Sequence, residues 1–360
     1  MTNSISIIED LFRYNDWANA RIFDLARELT NAQLDAPREL GFGSLRNTIF
    51  HLLTAEEIWL ERWQLVPWRP FPTDSQGMAL EDMEALLRQV AQARQQLINE
   101  ERKTLWKREV AFKDSRGNEY REPLIMLLIH VANHGIYHRA QALSYLKSHG
   151  RTVPVGLDYL LYKLARPSLE QTPDTVAGLR ALGLEVATKA GWQATWDGWL
   201  MERYFAYHDW ANDQVLSAML DQNDAVLDRP FDMGLGSLRQ TVVHLVNAES
   251  WWWENWENRP QSFPAYAAHD LASLQQRLQE LRQQRNEFLG NLNPDQSQEA
   301  CVAKFGELDV RVRIEESLLQ LCCHGTHHRA QLVNMLRHSG LKIPAVDVVD
   351  WWRGLPTDAA

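Results

Sequence analysis

The sequence predicts an all-α protein made of two tandem four-helix bundles, because three strings occur twice, in the same order, along its 360 residues. The strings are Trp-Ala-Asn, His-Leu and His-Gly-x-x-His-Arg-Ala-Gln. Their copies begin at residues 17 and 210, 51 and 244, and 134 and 324. The spacing is 193 residues for the first two strings (210 − 17 and 244 − 51) and 190 for the third (324 − 134). This near-constant spacing indicates a duplicated domain with a small deletion in one loop.

The first two helices of each half are indicated by apolar residues at helical spacing. In the first half such a stripe runs over residues 5–29 and includes Trp17. The second helix is expected to begin after Ser44, since serine accepts hydrogen bonds from the free N–H groups of a helix start. Its counterpart Ser237 has Gln240 three residues later, which predicts a capping box.

The third helix of each half is long and polar, and a segment without helical period follows it. We predict this helix over residues 80–106 and 271–292, with one buried stripe. Segments 107–120 and 301–313 contain turn-forming residues, which favours a short β-hairpin before the fourth helix.

The fourth helix of each half is apolar and is expected to stop near a glycine, Gly150 in the first half and Gly340 in the second. These elements divide the chain into a first bundle at 1–165, a linker rich in proline and glycine at 166–195, and a second bundle at 196–360.

Composition and charge restrict the partners of the chain. A net charge of −10 without a basic cluster argues against nucleic acid as a partner. An odd cysteine count (Cys301, Cys322, Cys323) suits a reducing compartment. No signal-peptide pattern opens the sequence, and the apolar run at 124–132 is too short to span a bilayer. We therefore expect a cytoplasmic protein without a membrane or nucleic-acid partner.

The repeated histidines predict a metal site in each half. His134 and His138 lie one turn apart on one helix face, with Cβ atoms roughly 5–6 Å apart, so both imidazoles can reach one ion. The third ligand must come from another helix, and His51 on the second helix is the candidate. The corresponding set in the second half is His244, His324 and His328.

A single buried histidine is ordinarily a packed core residue, but three in each half favour metal binding because burying unpaired imidazoles is costly. His130, replaced by Gln320 in the second half, is a candidate pocket residue. Gln141 and Gln331 lie on the metal face and are candidates to orient a ligand. Whether two further sets of residues contribute to the metal site remains open. Cys322 and Cys323 are soft ligands in principle, but packing explains their presence equally well. Glu56 and Glu249 do not obviously face the ion.

Together these strings resemble the DinB-like, or YfiT-like, superfamily of metalloenzymes. The resemblance implies an up-down-down-up four-helix bundle with a long crossover and a three-histidine site for a divalent ion, zinc or nickel first, with iron or manganese also compatible. It assigns the ligands of this chain to two sets: His51, His134 and His138, and His244, His324 and His328.

The family includes thiol S-transferases, a mycothiol-dependent isomerase and the helical domain of ergothioneine-type sulfoxide synthases. Ala140 and Ala330 stand where the synthases have a glutamate, which counts against that activity.

Two functions follow as expectations. One is a metal-dependent hydrolase or S-transferase that uses a low-molecular-weight thiol and acts on a small molecule through open metal positions. The other is a non-enzymatic, metal-bearing module that binds a small molecule or serves as a scaffold. The sequence does not identify a general base. Because single-domain relatives often pair, the two halves are expected to form an intramolecular pseudo-dimer.

Overall fold

The computed structural model describes residues 4–67, 69–105, 107–113, 117–152, 156–187, 197–265, 267 and 270–354. The first repeat and the segment after it contain seven helices and one hairpin in this described part. In chain order the elements are α1 Ser4–Ala26, α2 Asn31–Leu34, α3 Leu45–Trp63, α4 Leu80–Glu100, β1 Glu109–Lys113, β2 Glu119–Pro123, α5 Leu124–Ser148, α6 Tyr159–Ala165 and α7 Pro173–Ala181.

The second repeat follows the same order. Its elements are α8 Gly198–Ser217, α9 Asp224–Leu227, α10 Leu238–Trp256, α11 Leu271–Asn291, α12 Pro294–Ser297, β3 Ala300–Phe305, β4 Leu308–Arg313, α13 Ile314–His338 and α14 Val348–Arg353.

The predicted fold class is confirmed, including the hairpin before each fourth long helix. Strands β1 and β2 pair antiparallel with Val110 opposite Glu122, and β3 and β4 pair with Cys301 opposite Val312. Each hairpin leads directly into the helix that carries the paired histidines, α5 or α13. Part of the predicted turn of the first hairpin, residues 114–116, lies outside the described residues.

The chain groups into two compact units. The first bundle consists of Ile8–Thr152 with Asp347–Ala360, and the second bundle consists of Met1–Ile7 with Val153–Val346. Each unit therefore includes the residues that follow the last long helix of the other repeat. The domain boundaries given above stay predictions, and residues 188–196 of the predicted linker region are not described.

In the second bundle the four long helices form a closed ring of neighbours. Helix α8 packs against α11 and α13, and α10 packs against the same two helices. The short helix α6 adds to this unit by packing on α13.

In the first bundle α3 packs against α4 and α5, and the short helix α14 packs on α5. The helices that carry histidines, α3 with α5 and α10 with α13, are thus direct neighbours.

The helix boundaries follow from local chemistry. Ser44 Oγ accepts a hydrogen bond from the N–H of Asn47, and Ser237 Oγ accepts one from Gln240, so both predicted N-caps are present. Gly150 and Gly340 both have φ +71°, a conformation that glycine adopts without a Cβ penalty, just past the ends of α5 and α13.

None of the helices in the described part of the chain combines the length and apolar character needed to cross a membrane.

Candidate metal centre

The first triad joins His51 of α3 to His134 and His138 of α5. The two histidines of α5 are one turn apart, so both rings project from one face of that helix. The Nε2 atoms of His51 and His134 lie 3.1 Å apart, and the ring centroids of His51 and His138 lie 4.7 Å apart. One nitrogen from each ring lies within 4.8 Å of the other two.

The second triad repeats this arrangement with His244 of α10 and His324 and His328 of α13. The Nε2 atoms of His244 and His324 lie 3.0 Å apart, and the centroids of His244 and His328 lie 4.6 Å apart. The structure thus brings together both sets of histidines that the repeats single out.

One pair of nitrogens in each triad has the spacing that a shared metal ion requires. Two nitrogens bound at about 2.0–2.1 Å, with an angle of about 90–110° at the ion, lie roughly 2.9–3.4 Å apart. The observed Nε2–Nε2 distances of 3.1 and 3.0 Å fall inside this interval. Three imidazoles suit several divalent transition metals, so the donor set fits an ion without selecting one.

One glutamine orients a histidine in each triad. The Nδ1 atom of His138 lies 2.7 Å from Gln141 Oε1, and that of His328 lies 2.7 Å from Gln331 Oε1. An amide oxygen only accepts hydrogen bonds, so each Nδ1 carries the proton and each Nε2 keeps its lone pair. Gln331 Nε2 also lies 2.9 Å from His327 Nε2, which fixes the orientation of that amide.

Burial lowers the pKa of five triad imidazoles, those of His51, His134, His138, His244 and His328, so these rings are uncharged at neutral pH. Burial first, and then the proximity of His138, lowers the pKa of His51 to about 3. Burial lowers the pKa of His138 to about 4, although its hydrogen bond to Gln141 acts in the opposite direction. Burial and then His324 lower the pKa of His244 to about 4. Neutral imidazole is the form that binds metal, so protons compete with an ion only in acid.

Two aspartates beside the triads are functional candidates that sequence reasoning missed. Asp158, just before α6, accepts a hydrogen bond from His324 Nδ1 at 3.1 Å, and Asp347, just before α14, accepts one from His130 Nδ1 at 2.6 Å. Burial opposes ionisation of Asp158, but nearby His324 holds the pKa of this carboxyl below its usual range. The sequence contains only a weak signal for these two residues: Asp158 lies four residues after Pro154, and Asp347 lies three residues after Pro344.

His130 lies between the first triad and one of these carboxylates. Its ring centroid is 5.8 Å from that of His134, while its Nδ1 donates to Asp347. Gln320, the counterpart of His130, instead accepts a hydrogen bond from the backbone N–H of Leu160 at 2.6 Å. The two repeats therefore differ at this position in chemistry as well as in sequence.

A third group, His208, Asp209 and Glu249, also has metal-competent spacing among the described residues. Here, however, Arg285 already neutralises the carboxylates: it donates to Glu249 Oε2 at 2.9 Å and to Asp209 Oδ2 at 2.5 Å. His208 Nε2 lies 3.1 Å from Glu249 Oε1, and burial lowers the pKa of His208 to about 4. This group is a buried ion-pair network that ties α8, α10 and α11 together.

The first repeat has the same network with asparagine in place of histidine. Asn15 Nδ2 donates to Glu56 Oε1 at 2.7 Å, and Arg94 donates to Glu56 and to Asp16. Glu56 and Glu249 are thus held by arginines in the bundle interior, consistent with the expectation that they do not face an ion.

The neighbouring cysteines of α13 are packing residues. Cys322 and Cys323 are 0% and 1% exposed, and neither belongs to a metal-competent group in the described part of the chain. Burial, with Cys323 nearby, raises the pKa of the Cys322 thiol well above its usual value. A thiol that stays protonated is a poor ligand.

The sequence matches the model of the DinB family over residues 1–173 and again over residues 194–354. The chain belongs to the DinB family. It is 25% identical over 160 residues to Protein DinB of Bacillus subtilis strain 168, an alignment that covers 42% of this chain and 91% of that protein. No solved structure matches the chain significantly. The match to two regions confirms the tandem duplication of a DinB-family domain.

Each DinB-family repeat therefore carries its own histidine triad on the same pair of helices. The DinB relative spans about one repeat, so this chain contains two domains where that protein has one.

Proposed function

We propose that this DinB-family protein is a metal-dependent enzyme, a hydrolase or a low-molecular-weight-thiol S-transferase, with one divalent ion in each triad. The observation that carries the proposal is the convergence of three largely buried imidazoles in both repeats, five of the six with a pKa lowered by burial. Burying such polar rings together without a partner is unfavourable, and a divalent ion supplies that partner.

Three protein ligands leave coordination positions open, which distinguishes a catalytic metal site from a closed structural one. A bound divalent ion would lower the pKa of a thiol or a water molecule that reaches it and polarise an electrophile. The chain's own contribution is orientation: Gln141 and Gln331 hold the rings of His138 and His328 with their lone pairs toward the centre. Zinc and nickel are the ions we propose first.

A pocket beside the second triad gives a small molecule access to the site. It has a volume of about 300 Å³ and is lined by His244 together with other residues of α10 and residues of the loops before and after it. This volume is at the lower end of the range of about 300–1,000 Å³ that is typical of small-molecule sites.

The ligand assignment is tested by metal content. Loaded with zinc or nickel and desalted, the wild-type chain is expected to hold about two ions. His138→Ala and His328→Ala are each expected to hold about one, because losing one of three ligands should empty that site. His338→Ala, at the end of α13 and outside both triads, is the control and should keep two. Unchanged metal content in both triad variants would refute the assignment.

Activity is tested separately on protein of known metal content. Thiol conjugation to an electrophilic aryl halide and hydrolysis of an activated ester are expected to fall when a chelator removes the ion and to return on reloading. Activity that stays the same after the chelator has removed the ion would contradict the proposal of a metal-dependent enzyme.

A non-enzymatic binding module is the second candidate. It is favoured by the lining of the pocket, whose only titratable side chain in the described part of the chain is His244. Ligand binding that depends on metal, without any turnover of the ligand, would identify this alternative.

Two DinB domains in one chain also fit an intramolecular pseudo-dimer.

A further inference from the structure

The two sites differ at the residue that faces the helix-two histidine. In the first bundle the ring of Phe42 stacks on His51, with centroids 3.8 Å apart and planes 25° apart, and lies 5.4 Å from His138. The corresponding residue in the second bundle is Leu235, which lines the pocket beside His244.

The loops that carry these two side chains have the same design. Phe42 lies between Gly41 and Gly43, with φ values of +51° and +83°, and Leu235 lies between Gly234 and Gly236, with φ values of +55° and +97°. A positive φ at both flanking positions sets the path of the loop. At this position the two sites therefore differ in the side chain and not in the backbone that presents it.

The pocket at the second site is apolar with two amide groups. Leu235, Val243, Phe263 and Pro264 supply the apolar walls, and the Phe263 ring lies 5.1 Å from that of His244.

Gln240 and Asn247 are the polar lining residues, one turn before and about one turn after His244 on α10. No charged side chain of the described residues lines this pocket. An apolar wall with a few hydrogen-bonding groups selects a ligand with an uncharged body.

We propose that the two sites take ligands of different size: the second site binds a molecule with a metal-binding head and an uncharged apolar or aromatic body, whereas Phe42 restricts the first site to a small one. This proposal rests on the metal-binding function proposed above. It assigns ligand selection to a single exchanged position, Phe42 or Leu235.

The test uses two hydroxamic acids as probes on zinc-loaded full-length protein. Acetohydroxamate has only a methyl group beside its metal-binding head, and benzohydroxamate has a phenyl ring there. In His138→Ala protein, which keeps the second site, benzohydroxamate is expected to bind about tenfold or more tightly than acetohydroxamate, because the ring enters an apolar pocket. In His328→Ala protein, which keeps the first site, this preference is expected to disappear or reverse.

The matched variants exchange Phe42 and Leu235 between the two sites. Leu235→Phe in the His138→Ala background should remove the preference for benzohydroxamate while acetohydroxamate binding changes little. Phe42→Leu in the His328→Ala background should create that preference. Both side chains are about two-fifths exposed, 38% for Phe42 and 40% for Leu235, so neither exchange disturbs a buried core.

The outcomes separate this inference from the function on which it rests. Equal preference at the two sites, or a preference that neither exchange alters, overturns the inference even when zinc content is normal. Failure of wild-type protein to retain zinc overturns the proposed function and this inference with it.

Discussion

Asp158 accepts a hydrogen bond from His324 although 166 residues separate them in the chain. A carboxylate on Nδ1 of a metal-binding imidazole fixes the ring's orientation, keeps the proton on Nδ1 and makes Nε2 a better donor. The side chain of Asp158 makes no cap hydrogen bond to α6, whereas that of Asp347 also accepts one from the N–H of Val349. We therefore expect Asp158 to act as a positioning residue for His324.

Replacing Asp158 by asparagine is expected to weaken metal binding at the second site about 10- to 100-fold. Asparagine keeps the shape of the side chain and removes its charge. The measurement is a competition titration with a chelator in the His138→Ala background, in which only the second site loads.

The same substitution in the His328→Ala background is the control. Only the first site loads there, so its affinity is expected to stay unchanged. Equal weakening in both backgrounds would show a general loss of stability and would contradict a positioning role for Asp158.

The repeats explain which site residues the sequence could predict. The six triad histidines were found because each motif occurs twice, and Gln141 and Gln331 because they lie one turn after a triad histidine. Asp158, Asp347 and Phe42 could not be found in this way. Their importance depends on which segment packs against which helix, and helical periodicity carries no information about that contact.

At the scale of the helix, the glycine in the His-Gly-x-x-His motif permits close packing. A Cβ added at Gly325 in α13 would overlap His208 of α8 and lie 2.7 Å from its Nδ1. At Gly135 in α5 the added atom would overlap Asn15 of α1 in the same way. The motif therefore combines two triad histidines with one position at which the first and fourth long helices of a repeat approach closely.

Gly325→Ala is expected to destabilise the protein by about 1–3 kcal/mol, since the added methyl group has no space unless the buried side chains of His208 and Arg329 shift. This expected change in stability is opposite to the usual effect of the substitution in a helix, where alanine is favoured over glycine by roughly 0.5–1 kcal/mol. Thermal unfolding followed by circular dichroism provides the measurement.

Gly290 in α11 is the matched control because a Cβ there meets no atom within 4 Å. Gly290→Ala is expected to raise the unfolding temperature slightly or leave it unchanged. If Gly325→Ala protein unfolds at the same temperature as the wild type, the stability of the protein does not depend on the close packing of α8 against α13 at this position.

The order and type of the main elements could be predicted from sequence because their signals are local. Apolar spacing, Ser44 and Ser237 at helix starts, and glycines after α5 and α13 all act within a few residues of the chain. The packing of α6 and α14 could not be predicted in this way. These helices are 7 and 6 residues long and depend on tertiary contacts, so their sequences do not show where they dock.

At the scale of the whole molecule, the C-terminal helix stabilises the first bundle. Val348, Trp351 and Trp352 of α14 are at most 6% exposed, and α14 packs on α5. Arg353 adds a cation–π contact, with its guanidinium carbon 3.5 Å from the centroid of the Tyr120 ring in the hairpin. A segment near residue 350 is therefore part of the core of a unit that otherwise ends at residue 152.

Trp352→Ala is expected to destabilise the first bundle by about 3–5 kcal/mol, because it removes a large buried side chain and leaves a cavity against α5. Hydrogen exchange locates the effect: amides of α5 should lose protection while those of α13 keep theirs, although α13 is much nearer in sequence. Trp199→Ala is the control, since Trp199 is 43% exposed and its contact with Arg203 contributes about 1 kcal/mol or less. Loss of protection confined to α13 would contradict the placement of α14, and with it the conclusion that each DinB-family unit is completed by chain from the opposite repeat.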